Sequence, residues 1–331
     1  MARMKRKLIR GLLCGAVAAV ALSGCANLPQ WKDLVSFRTE KAFQPANEFA
    51  LTPSQETVGQ VQIVIAREED TLPALARRYD LGFDEIVGAN PDVDIWIPGE
   101  GTRIVLPTRY ILPDTPHEGV VINVAARRLF YFPADNSEVV ITYPVGIGRD
   151  EWATPLGTAK ITEKVTDPTW YPPPSIRREH REKGDPLPGI VPPGPDNPLG
   201  RHALILSLDG YLLHGTNKPA GVGMQVSHGC IRLYPEDIAA VFPGMPIGTP
   251  VRIVDQPVLA GWDGTDLYLQ AYLPPDKSET RVTEQVRQAV SAALKRRDIE
   301  AESFRVDWDR AGQAHDPRRG IPVALTRGGP D

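Results

Sequence analysis

Cysteine is scarce in this chain, with three among 331 residues, at positions 14, 25 and 230. That is too few for a disulfide framework of the kind that staples small secreted domains. No apolar run after residue 22 approaches the ~20 residues needed to span a bilayer, so the body is not a bundle of membrane helices. A basic surplus is also missing. The formal net charge is −4, and no stripe of basic residues interleaved with aromatics occurs, which argues against nucleic acid as a partner. Histidine is sparse too. His117, His180, His202 and His315 have no metal-ligand spacing with one another, no zinc motif is present, and neither a metal nor a cofactor is expected.

What is present begins at the N-terminus. Arg3, Lys5, Arg6, Lys7 and Arg10 precede an apolar stretch over residues 11–22, which ends in Leu22-Ser23-Gly24-Cys25. A basic region, an apolar region too short for a mature span and small residues at a cleavage point make a signal segment. Because the small residues end in cysteine, it resembles a bacterial lipoprotein signal. The resemblance implies removal of residues 1–24 and lipidation of Cys25, so that the chain reaches the membrane through its N-terminal lipid. The following Ala26-Asn27 carries no Asp, which by resemblance to known sorting signals favours the outer membrane, on the periplasmic side. Cleavage would remove five of the 37 basic residues and none of the 41 acidic ones, leaving a net charge of −9.

Cys14 departs with the signal and Cys25 is consumed by the lipid, so Cys230 has no partner within the monomer. An unpaired thiol in an oxidising compartment is either buried and inert or used. Its setting is Val226-Ser227-His228-Gly229-Cys230-Ile231-Arg232, with Leu213-His214-Gly215-Thr216 upstream. A free thiol is mostly protonated at neutral pH, with pKa near ~8.5, and a neighbouring imidazole can take that proton. His228 stands two residues before Cys230, so an extended backbone would point both side chains the same way, and Arg232 with them. Either His214 or His228 could serve as base.

The 33 prolines and 29 glycines suggest a β-rich body with many turns. Residues 25–60 are polar and aperiodic and read as a tether with one short helix. Residues 61–108 read as β-α-α-β: a strand over 61–65, a helix N-cap at Asp70-Thr71, helical spacing at Leu72, Leu75, Ala76 and Tyr79, a second helix stopped by Asn90-Pro91, and a strand over 102–107. Period-two strands follow over 120–124, 128–132 and 139–145, then 158–162, 203–208 and 211–214. Ten prolines between residues 168 and 198 are too many for a packed element and read as a long loop, a lid or substrate wall. After residue 257 comes an extension with a strand over 267–273, an amphipathic helix marked by Val282, Val286, Ala289, Val290, Ala293 and Leu294, and a last strand over 321–325. It packs on the body or meets a partner; the residues do not separate these.

Two resemblances follow. Asp70-Thr71-Leu72, Ala76-Arg77-Arg78-Tyr79, Ala89-Asn90-Pro91 and Pro98-Gly99 make residues 61–108 similar to a LysM module, which implies binding to peptidoglycan glycan, although Glu69 stands where such modules usually carry Gly. Residues 117–257 resemble the YkuD-type L,D-transpeptidase domain in Tyr143-Pro144-Val145-Gly146-Ile147-Gly148, Thr154-Pro155-Leu156-Gly157, residues 194–200, His214-Gly215-Thr216 and Ser227-His228-Gly229-Cys230-Ile231-Arg232-Leu233. The implied fold is mainly β (α+β): a YkuD-type β-sandwich catalytic domain, the small LysM-like domain and a C-terminal αβ extension over 258–331. The implied reaction is acyl transfer on peptidoglycan tetrapeptide stems. Cys230 is its nucleophile, His214 its general base, the Gly215 carbonyl the orienter of that base, and His228 and Gly229 belong to the oxyanion region. Arg232, Ser227, Thr216 and Tyr211 are candidate substrate contacts. The acceptor is an amine of an envelope protein or of a second stem, or water. A catalytically silent murein-binding lipoprotein is the alternative, opposed by the intact Cys230 and His214.

Overall fold

Residues 47–52, 54–272, 279–300, 303–313 and 320–326 are described by the structure, a computed structural model. The signal segment, Cys25 and the tether up to residue 46 lie outside the described residues. Where the tether is described it is not aperiodic, forming strands β1 (Glu48–Ala50) and β2 (Thr57–Gly59). The reason is tertiary: Phe49, Leu51 and Val58 cover one face of the main sheet together with Tyr110, Phe130 and Val140. Three-residue strands carry too little alternation to be read locally.

Strand β3 (Gln62–Ile65), helices α1 (Leu72–Arg78) and α2 (Phe83–Ala89) and strand β4 (Arg103–Leu106) follow in the order that periodicity predicts. Thr71 caps α1 by accepting from Ala74 N at 3.1 Å, and Pro73 falls in the first turn, where its missing N–H breaks no helical bond. Leu72, Leu75, Leu81, Ile86, Ile104 and Leu106 close a core of their own. Asn90 ends α2 and ties it to β4: its amide donates to the Ile86 and Val105 carbonyls, both at 2.8 Å, and accepts from Val105 N at 2.8 Å. Strand β5 (Arg109–Ile111) then returns to pair with β2.

The central body is β6 (Gly119–Asn123), β7 (Arg128–Phe132), β8 (Val139–Pro144), β9 (Ile147–Gly148), β10 (Gly157–Thr166), α3 (Pro174–Glu182), β11 (His202–Leu206), β12 (Leu212–His214), β13 (Gln225–Ser227), β14 (Ile231–Arg232), α4 (Pro235–Val241) and β15 (Pro250–Val254). Nine strands form one mixed sheet in the order β1-β8-β7-β6-β15-β10-β11-β12-β14. The architecture is mainly β. Every residue of β6 and β7 is buried because both faces are covered. Val120, Ile122, Leu129 and Tyr131 enter the main core, while Val121, Phe130 and Phe132 meet the β1–β2 layer.

The proline-rich segment is a correction to the expected loop, since α3 lies inside it. Its prolines avoid residues 175–185, and Pro174 occupies the first helical turn, where its fixed φ favours the helix.

The C-terminal extension forms β16 (Val258–Asp263), β17 (Asp266–Ala271), α5 (Glu279–Lys295), α6 (Trp308–Gln313) and β18 (Val323–Ala324). Val282, Val286, Val290, Ala293 and Leu294 of α5 pack with Trp262, Leu267 and Leu269. The extension docks on the β2–β5 layer: Glu56 N donates to Trp262 O at 3.2 Å, and Arg296 meets Glu56 at 2.9 Å and Asp114 at 3.0 Å.

The β-α-α-β module also docks on the main body, through a polar seam. Arg128 of β7, 1% exposed, donates to Glu85 of α2 from Nη2 at 2.6 Å and Nε at 3.1 Å, and to Asp80 O at 3.0 Å. Arg77 pairs with Glu236, and Tyr234 donates to Leu81 O at 3.1 Å. Beside them the backbones touch: Phe83 N donates to Val222 O at 3.1 Å, and a Cβ on Gly223 (φ +81°) would lie 2.2 Å from Gly82 Cα. Only glycine fits there, and Gly223 stands two residues before β13.

Candidate active site

The site is built where β12 and β14 run parallel, with Leu213 opposite Ile231 and His214 opposite Arg232. Leu213 and Ile231 both enter the main core. Alternation therefore turns His214 and Arg232 to the other face, together with Cys230, which immediately precedes β14.

His214 is 3% exposed. Its Nδ1 lies 2.6 Å from Gly215 O, and since a carbonyl only accepts, Nδ1 carries the proton and Nε2 the lone pair. Burial, reinforced by the Arg232 charge, pulls its pKa down to about 3 against the partial support of the Gly215 and Leu199 carbonyls. The imidazole is therefore neutral across the physiological range. The backbone of Gly200 (φ +67°) packs directly on the Gly215–Thr216 peptide, fixing the carbonyl that orients the ring.

Cys230 is a half-buried free thiol. Desolvation pushes its pKa above the ordinary thiol value, partly offset by a Leu212 backbone interaction and by Arg232. The preceding turn is held from inside. Ser227 Oγ donates to Cys230 O at 2.6 Å and accepts from Gly229 N at 3.1 Å, while Thr154 Oγ1 donates to Gly229 O at 2.8 Å and accepts from Gly148 N at 3.0 Å. Gly229 has φ +103°, and a Cβ there would meet Tyr211 Cε1 at 2.8 Å. Because Ser227 Oγ already takes Gly229 N, that N–H is not a free oxyanion donor.

Several expected roles change. The parity that aligned His228 with Cys230 fails because Gly229 breaks the extended backbone. His228 turns instead to Glu179 Oε2 at 2.9 Å, with Trp152 edge-on at 5.3 Å. Ser227 is wholly buried and committed to the turn, and buried Thr216 accepts from Lys218 N at 3.0 Å, so each hydroxyl is engaged by the protein's own backbone. Tyr211 packs half-buried on Gly229. Arg232 makes no ion pair among the described residues, its Nε is buried without a partner, and desolvation lowers its pKa. Glu179, Arg149, Thr154 and Trp152 were not anticipated from sequence. Glu179 lies 49 residues before His228 in a proline-rich stretch, with no local signal to link them.

A thiol and a neutral, carbonyl-oriented imidazole on adjacent strands are the parts of a cysteine-dependent acyl transferase. Residues 117–253 match the family described as YkuD, the L,D-transpeptidase catalytic domain, and the chain belongs to the L,D-transpeptidase family. Among its relatives, "Probable L,D-transpeptidase YbiS" of Escherichia coli strain K12 is 38% identical over 281 residues, covering 83% of this chain and 90% of that protein. "Probable L,D-transpeptidase ErfK/SrfK" of the same strain is 38% identical over 82% of this chain and 88% of its own length. "Probable L,D-transpeptidase YcfS", again from that strain, is 41% identical over 64% of this chain and 68% of its own.

Proposed function

We propose that this L,D-transpeptidase acts on peptidoglycan, with Cys230 as nucleophile and His214 as general base. The Cys230 sulfur attacks the carbonyl at the L-centre of diaminopimelate in a tetrapeptide stem. His214 Nε2 takes the thiol proton and delivers it to the departing D-Ala amine, so the C–N bond breaks as the thioester forms. An acceptor amine then attacks the thioester, passing its proton through His214 back to the sulfur. The observation that carries this reading is the buried His214 whose Nδ1 proton is engaged by Gly215 O, which leaves Nε2 as a lone-pair acceptor on the face shared with Cys230. Half-buried Arg232 on that face, with no ion pair among the described residues, suits a carboxylate of the stem.

The surrounding parts fit a wall-facing enzyme held by lipid on Cys25 at the outer membrane, with residues 61–108 as a LysM-like glycan-binding module. Exposed Trp96 (66%) and Ile97 (76%) offer that module an apolar surface for a sugar ring. The acceptor is an envelope protein's amine or the side-chain amine of a second stem. Incubation with tetrapeptide muropeptides, beside Cys230→Ala, tests the reading by mass spectrometry. D-Ala release by the intact protein alone is expected, with either a stem dimer or a peptide-bearing stem as product. Absence of D-Ala release would refute it.

A further inference from the structure

Among the described residues, Glu179 is the one carboxylate that bonds to a side chain of the cysteine motif, and it comes from α3. Its side chain, mostly shielded, accepts from Arg149 Nη2 at 2.5 Å, from Lys183 Nζ at 2.5 Å and from His228 Nε2 at 2.9 Å. Lys183 on its own helix, then Arg149, then His228 hold its pKa down at about 2, so it remains ionised. Arg149 is itself fastened to the motif, its backbone N donating to Ser227 O at 3.1 Å. The groups facing His228 are Glu179 from α3, Arg149 from the turn after β9, Arg232 from β14, the His180 ring at 6.4 Å and the edge of Trp152. Burial lowers the His228 pKa, so the ring is neutral near pH 7.

A neutral imidazole has one N–H, and a carboxylate can only accept. Nε2 therefore holds the proton, and Nδ1, which bonds to no described residue, holds the lone pair. His228 cannot then donate to an oxyanion from Nδ1. We propose that Glu179 is a positioning residue that fixes His228 as the Nε2–H tautomer and, through it and Arg149, clamps the proline-rich segment onto the turn that carries Cys230. The segment's helix and the cysteine turn then form one rigid unit. Glu179 acts through its two partners and touches no reacting atom. The inference rests on the transpeptidase reading for its kinetic consequence, but not for its tautomeric one.

The test uses the whole protein as wild type, Glu179→Gln, Glu179→Ala, His228→Ala and the Glu179→Ala/His228→Ala double variant. Imidazole 15N spectra of wild type should show His228 protonated at Nε2. Glu179→Gln, whose amide oxygen still accepts, should keep that pattern, and Glu179→Ala should give a tautomer mixture. In D-Ala release from tetrapeptide stems, Glu179→Ala should lower kcat/KM about tenfold, Glu179→Gln should restore most of it, and the double variant should lose clearly less than the two single losses combined, the remainder reflecting the Arg149 arm of the clamp. An Nδ1–H tautomer in wild type, an unchanged spectrum in Glu179→Ala, or additive losses in the double variant would overturn the proposal. If wild type released no D-Ala, the transpeptidase reading would fall while the spectra still judged the clamp.

Discussion

Replacing Arg128 by Met probes the seam most directly. The guanidinium is fully buried, forks onto Glu85, donates to Thr142 Oγ1 at 3.2 Å and lies 4.2 Å from the Tyr110 ring centroid. Met preserves most of the packed volume, so the loss is chiefly electrostatic. The Glu85 carboxylate, whose side chain is 9% exposed, would be stranded without its cation, a change typically worth about 3–5 kcal/mol. Loss of the desolvated cation–π contact adds roughly 1–2 kcal/mol. Adding Glu85→Met removes the stranded charge, so the double variant should recover most of this. It should still fall about 2–3 kcal/mol short, because the cation–π contact stays lost and Glu85 also caps α2 by accepting from Gly82 N at 2.9 Å. Urea unfolding of wild type, both singles and the double variant gives the coupling energy, expected to exceed about 3 kcal/mol because each single strands a buried charge that the double does not. Amide exchange at Phe83, whose N–H bonds Val222 O, should accelerate in Arg128→Met. A single-variant loss under about 1 kcal/mol, or a coupling near zero, would refute the reasoning.

Gly229→Ala should destabilise by about 1–3 kcal/mol from backbone strain at φ +103°, with a further loss from the Tyr211 contact. Tyr211→Ala in that background should restore the second part only, as read by thermal denaturation. Cys230 alkylation by iodoacetamide should rise about tenfold per pH unit from pH 7 and level off above the ordinary thiol value, since desolvation raises the thiol and His214 is already neutral. A plateau already reached below pH 7 would indicate a thiolate–imidazolium pair instead. Asp237 of α4 faces Asp80, with Glu236 and Arg128 near, and burial pushes its carboxyl up to about 9. A raised carboxyl pKa makes the folded state bind more protons at this group than the unfolded one, so the contribution of Asp237 to stability should fall as pH rises from about 4 to about 9. Asp237→Asn, a mimic of the protonated acid, should flatten that fall and be more stable at pH 8 by urea titration.

The family of the chain was legible in its sequence because the signals are short-range. The unpaired cysteine, the Ser-His-Gly-Cys-Ile-Arg and His-Gly-Thr motifs and the period-two runs each sit within a few residues. So do the helix caps at Thr71 and Asn90, where hydrogen bonds close over three to fifteen residues. Legibility ended where a side chain's partner lies far along the chain. The strands at residues 48–50 and 57–59 exist because they cover a sheet face contributed by residues 121–140. The helix at 174–182 was hidden by the count of prolines around it, although their positions permit it.

Sequence alone determined the mainly β class, the β-α-α-β order of residues 61–108 and the motifs of the family, because local propensity and motif spacing are enough for these. Tertiary structure alone decided which partner each imidazole takes. A single positive-φ glycine between His228 and Cys230 overrides the alternation of an extended strand, and a carboxylate 49 residues away captures the ring that alternation would have supplied. It also decided that Ser227 and Thr216 turn inward, since the buried turn beside Cys230 must satisfy its own N–H and C=O groups before any substrate arrives.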